Sequence, residues 1–117
     1  YPVYYANRDT TYFKFLKKIN TLGVLKESGV LDYLSERCMP DVIILFGSAS
    51  RGEDIKWSDV DLYLACERKK IDLGKYEKKL KRKINILFEA DFNTLSAELK
   101  NNIINGDRLS GYLQVKF

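Results

Sequence analysis

Apolar residues near the start of the chain recur at helical intervals: Tyr12, Phe13, Leu16 and Ile19 lie on one face, with Asn7 or Asp9 placed to cap a helix beginning near Thr10. Leu22-Gly23 interrupts that pattern and predicts a break, followed by a second helix over about 24–36 that buries Leu25, Leu31 and Leu34 and ends before Pro40. The pattern then changes character. Val42-Ile43-Ile44-Leu45-Phe46 is continuous, apolar and rich in β-branched residues, as expected of a strand covered on both faces. It stops at Gly47-Ser48, where a short helix is expected, followed by a loop around Ile55-Lys56-Trp57 and a second strand over 60–66. Within 73–83, Leu73, Tyr76 and Leu80 share one helical face while lysines and Arg82 occupy the remainder. A third strand is predicted over 84–88, a helix over 95–104 ended by Asn105-Gly106, and a terminal strand over 112–117. This succession predicts an α/β (α+β) fold, a small mixed β-sheet with helices packed against it.

With 117 residues the chain has room for one domain around one core. Residues 1–22 are expected to form an aromatic segment and helix at the junction with an upstream domain, and 23–117 the domain proper; a start at Tyr1 rather than methionine fits a segment of a longer protein. Hydrophobic residues at 45% and charged residues at 31% exclude the disordered regime and leave a folded core as the expectation. No apolar run reaches membrane-spanning length and the first residues lack a signal peptide's pattern, so a cytoplasmic location without a membrane partner is expected. Twenty basic residues against 16 acidic ones give a net charge of +4, a mild bias that suits a triphosphate without marking a nucleic-acid binder. Histidine is absent, which removes histidine-based zinc sites, Ser-His-Asp triads and Cys-His nucleophiles together. Cys38 and Cys66 stand far apart in sequence and are expected to serve as small apolar residues. Any catalysis must rest on carboxylates, hydroxyls and bound metal.

The chemistry concentrates in Phe46-Gly47-Ser48-Ala49-Ser50-Arg51-Gly52-Glu53 and in Ser58-Asp59-Val60-Asp61-Leu62. Strand residues alternate faces, so Asp59 and Asp61 project together while Val60 and Leu62 turn to the core. Two like charges so close cost free energy unless a cation sits between them, which makes the pair a candidate Mg2+ (or Mn2+) site. Upstream, Gly47 lets backbone approach a ligand, the Ser48 hydroxyl can donate to phosphate oxygen, and Arg51 adds positive charge.

A strand ending in Gly-Ser, ten intervening residues and then Asp-x-Asp resembles the minimal nucleotidyltransferases of the polymerase-beta superfamily. Arg51-Gly52-Glu53 and Ser58 also match, and the resemblance spans about 41–88. It implies a metal-dependent nucleotidyltransferase core. Gly47, Ser48 and Arg51 would hold the phosphates of a nucleoside triphosphate, ATP by analogy. Asp59 and Asp61 would be the catalytic, metal-binding carboxylates. A nucleoside monophosphate would pass to an acceptor that is a protein, a nucleic acid or a small molecule. The family's third carboxylate falls where this chain reads Lys83-Ile84-Asn85-Ile86, so Asn85 offers only an amide at a possible third site position, which leaves slow or absent transfer with binding retained as an alternative. Glu89 and Asp91 are poor substitutes, because four residues along a strand span roughly 13 Å. The resemblance also suggests alternatives: a catalytically weakened nucleotide-binding regulator, or an antitoxin-like interaction module. The module could pair with a HEPN-type protein or follow a winged-helix domain, with DNA reached only through that missing upstream domain. Tyr4-Tyr5-Ala6-Asn7-Arg8-Asp9 looks like the junction after a wing.

Overall fold

The structure, a computed structural model, describes residues 11–54 and 58–115. The aromatic opening, the cap candidates Asn7 and Asp9, the junction at 4–9, the loop at 55–57 and the last two residues lie outside the described residues.

Helix α1 spans Thr11–Ser28 without interruption, and α2 follows at Val30–Cys38. The break expected at Leu22-Gly23 is therefore wrong. Thr21, Leu25 and Ser28, at helical spacing, are the buried positions of α1, and this stripe continues straight past Gly23. A glycine inside a helix costs about 1 kcal/mol relative to alanine, which this burial offsets. The true break is at Gly29, whose φ of 87° is left-handed. Ser28 prepares it by donating its hydroxyl to the Leu25 carbonyl at 2.8 Å and accepting the Val30 N–H at 3.2 Å. Helix α2 ends at Met39, in the left-handed region ahead of Pro40.

Strand β1 spans Val42–Phe46 and leads into the one-turn helix α3, Ser48–Arg51. Strand β2 spans Val60–Leu64, α4 Gly74–Leu80 and β3 Ile84–Phe88. A 3-10 turn at Phe92–Thr94 precedes helix α5, Ala97–Ile104, which Ser96 caps by accepting the Leu99 N–H. The last strand, β4, is Asp107–Gly111. The four strands form one mixed sheet in the order β3-β2-β1-β4, with β2 and β3 parallel and the other pairs antiparallel. The expectation of a terminal strand over 112–117 is corrected by β4. Its residues Asp107, Arg108 and Ser110 lack the apolar signal because β4 lies at the sheet edge. Leu113 and Val115 pack on the core beyond the strand.

Alternation divides the core between the two faces of the sheet. Ile43, Leu45, Val60, Leu62, Leu64 and Ile84 pack with Leu25, Val30 and Leu34 of the first two helices, and Tyr76 and Leu80 of α4 close over them. Val42, Ile44 and Tyr63 pack on the opposite face with Phe92 and Ile103. Asp59, Asp61 and Asn85 alternate onto this second face, at the end of β2 nearest Gly47.

Candidate functional site

Strand register brings the polar residues together. In the parallel pairing of β2 and β3, Asp61 stands opposite Asn85. The Asn85 side-chain nitrogen donates to Asp59 Oδ2 at 2.9 Å and to Asp61 Oδ1 at 3.1 Å, so both carboxylates converge on one atom. On the other side of β2, Asp61 is opposite Phe46, which places Gly47 beside it. A β-carbon on Gly47 would sit 2.7 Å from Asp61 Oδ2, and the φ of 77° there also disfavours any side chain. Asp61 thus spans the gap between Asn85 and the Gly47-Ser48 turn.

Neither Asp59 nor Asp61 forms an ion pair with a cation among the described residues. Among those residues there is also no cluster of three or more carboxylate, thiol or imidazole groups able to hold a metal, so the group consists of two carboxylates and one amide. Ser48 opens α3 and is partly exposed next to Gly47. Arg51 closes α3 but turns away: its Nε donates to Glu53 Oε1 at 2.6 Å, with the side chain 53% exposed. That bond, followed by the one from Lys14, holds the Glu53 carboxyl below its ordinary pKa. A phosphate would compete with Glu53 for Arg51. Glu89 and Asp91 lie at the far end of the sheet, where the Glu89 N–H donates to Leu64 and Asp91 caps the 3-10 turn.

The turn that carries Gly47 and Ser48 is tied down by α1 and β4. Ser50 donates to Asp107 Oδ2 at 2.7 Å, and Asp107 Oδ1 pairs with Lys18 at 2.7 Å. Lys14 pairs with Glu53, and a β-carbon on Gly52 would strike the Lys14 carbonyl at 2.2 Å. Asp54, only 3% exposed, lies between Arg82 Nη2 at 2.7 Å and Lys17 Nζ at 3.7 Å, and Lys17 also donates to its backbone carbonyl. These supporting residues escape a sequence reading because the contacts cross long stretches of chain. The available signal is that Arg82 is the sole arginine in a lysine-rich run, where a planar fork is not interchangeable with an ammonium.

A cavity of about 530 Å³ opens next to Asp59, lined by Gly74, Glu77, Lys78, Lys81, Arg82 and Lys83. One of similar size, about 540 Å³, lies against Ile84, Ile86 and Phe88 and is lined by neither carboxylate, whereas Asp59 but not Asp61 or Gly47 lines the first. The chemistry therefore favours the former. The structure also joins Cys38 and Cys66, whose thiols are within hydrogen-bonding reach. Burial, ahead of the neighbouring Cys38, pushes the Cys66 thiol up to about 11, and burial raises Cys38 too. Both stay protonated at neutral pH, as suits small apolar residues. Among the described residues, no helix is long and apolar enough to cross a membrane.

The family model described as Polymerase beta, Nucleotidyltransferase matches residues 29–110, well over half of the chain and all of the sheet except the end of β4. No curated protein matches the chain.

Proposed function

This chain belongs to the polymerase beta nucleotidyltransferase family, and from that premise we propose that it binds a nucleoside triphosphate, ATP first among them, with a divalent cation on Asp59 and Asp61. The bound nucleotide would give up its nucleoside monophosphate to an acceptor and release pyrophosphate. The observation that carries this reading is the convergence of both carboxylates on a single donor nitrogen beside the Gly47-Ser48 turn.

The donor set fits the cation. Mg2+ and Mn2+ take hard oxygen ligands, and a cation displacing the Asn85 N–H donor would be held by the same carboxylate oxygens. When bound, the cation would neutralise charge developing on the attacking and leaving oxygens. The chain's own residues do the rest. Gly47 leaves room for phosphate against the backbone, and Ser48 donates a hydroxyl hydrogen bond to it. Asp59 and Asp61 hold their oxygens on one side of the sheet. Arg51 can exchange Glu53 for a phosphate oxygen with little loss, because an exposed, solvent-screened ion pair contributes little net stability.

Asn85 supports a second reading, nucleotide binding with slow transfer. Turned over, its amide can offer Oδ1 as a neutral ligand, but it cannot take the proton of an acceptor hydroxyl as a carboxylate can.

Calorimetric titration with Mg2+ and a non-hydrolysable ATP analogue tests binding, and label transfer from α-labelled ATP tests turnover. We expect magnesium-dependent binding that disappears in Asp59→Ala/Asp61→Ala, and faster transfer in Asn85→Asp. Undiminished nucleotide affinity in the double variant would refute the assigned site; unchanged transfer in a folded, nucleotide-binding Asn85→Asp would remove the second reading.

A further inference from the structure

We infer that Arg82 is a positioning residue that sets the backbone of Asp59 and thereby the carboxylate geometry offered to a divalent cation. The inference rests on the proposed role of Asp59 and Asp61. Arg82 lies just beyond α4, after Lys81, whose φ of 56° turns the chain back toward β2. Its side chain is 12% exposed and makes two contacts there. Nε donates to the Ser58 carbonyl at 2.7 Å, and Nη2 lies 2.7 Å from Asp54 Oδ2. The first contact fixes the peptide that joins Ser58 to Asp59. The next residue along, Lys83, accepts the Val60 N–H on its carbonyl at 2.8 Å.

Asp59 is therefore held from both sides by two consecutive residues, through the carbonyl before it and the N–H after it. The Nη2 contact with Asp54 steadies the guanidinium from the other end of the segment that links α3 to β2. Asp54 is itself held by Lys17 of α1. Neither Arg82 contact reaches the carboxylate of Asp59 or Asp61, so the effect on a cation would pass through the orientation of Asp59. Partners that orient a metal ligand typically change metal affinity 10- to 100-fold when removed. Lysine does not reproduce the fork, because its ammonium is a single compact charge, whereas the rigid guanidinium presents Nε to Ser58 and a separate nitrogen, Nη2, to the Asp54 charge.

Calorimetric Mn2+ titration of the whole chain in magnesium-free buffer tests this, with the melting temperature in chelator measured beside it. Arg82→Lys and Arg82→Gln should bind Mn2+ about 10- to 100-fold more weakly than the unaltered chain. A merely structural arginine would lower the metal-free melting temperature and leave the affinity of the folded protein unchanged; that result in Arg82→Lys overturns the inference. If both variants fail to fold, the unaltered protein decides by NMR: metal binding and the Arg82 bond must reinforce one another, so Mg2+ should slow hydrogen exchange at Arg82 Nε–H. Unaltered exchange at saturating Mg2+ would overturn the positioning role. The outcomes separate the two levels. Mn2+ binding that survives in Asp59→Ala/Asp61→Ala, or is absent from the unaltered chain, removes the metal site and this inference together. Binding lost in that double variant but intact in Arg82→Lys removes only the role of Arg82.

Discussion

Asp54 and the pair Asp59/Asp61 are the same residue type in one short stretch of chain, yet their surroundings are opposite. Asp54 is buried, with Arg82 and Lys17 fixed against it. Asp59 and Asp61 stand at an open end of the sheet, where Asn85 offers both a neutral N–H donor. A carboxylate matched to a fixed cation is part of the scaffold. A pair matched only to an amide keeps its negative charge available to a cation from solution.

Breaking the first half of that contrast should give the largest effect. Asp54→Ala leaves Arg82 half-buried with no carboxylate, and loss of one member of a buried pair costs about 3–5 kcal/mol. Urea denaturation would measure it, and a loss under about 1 kcal/mol would mean that Asp54 is no more structural than the exposed pair. The second half is sharpened by metal. At about 100 times its dissociation constant, Mg2+ should stabilise the unaltered chain by about 2.7 kcal/mol and Asp59→Ala/Asp61→Ala not at all. Without metal, that double variant should unfold within about 0.5 kcal/mol of the unaltered chain per substitution. Thermal scans with and without Mg2+ read both.

The smallest effect concerns Glu53, a fourth acidic residue of the same stretch, exposed and paired with Arg51 and then Lys14. Its carboxyl is held below the ordinary value of 4.5, so the pairing favours the folded state above pH 4.5 and is lost as pH falls through the lower, folded-state value. The slight melting-temperature deficit expected of Arg51→Gln at neutral pH should therefore close on acidification. A deficit that persists in acid would show that Arg51 acts through something other than Glu53.

What was legible in advance was whatever depends on near neighbours. Strand β1, the one-turn helix after Gly47, β3 and the amphipathic α4 follow from runs and spacing, and the alternation of Asp59 and Asp61 followed from strand geometry alone. The substitution of Asn85 was readable too, but the convergence of both carboxylates on its nitrogen needed the parallel register with β2. Gly23 misled because a local helix penalty was outweighed by the buried stripe on either side of it. Strand β4 was missed because edge pairing to β1 requires no apolar alternation. Asp54 and Arg82 were invisible as partners because nothing local marks a pairing across so much chain, and the same holds for the thiols of Cys38 and Cys66.

Helix α1 lies entirely before the segment that matches the family, yet Lys14, Lys17 and Lys18 reach forward to Glu53, Asp54 and Asp107. The folding unit is thus larger than the recognisable one. Grafting only the matched segment onto another protein would take the lysine partner from each of three acidic residues and leave Leu25's place in the core vacant. Sequence changes in α1 could loosen or tighten the Gly47-Ser48 turn from outside, giving this chain a means of tuning that its signature motif does not contain.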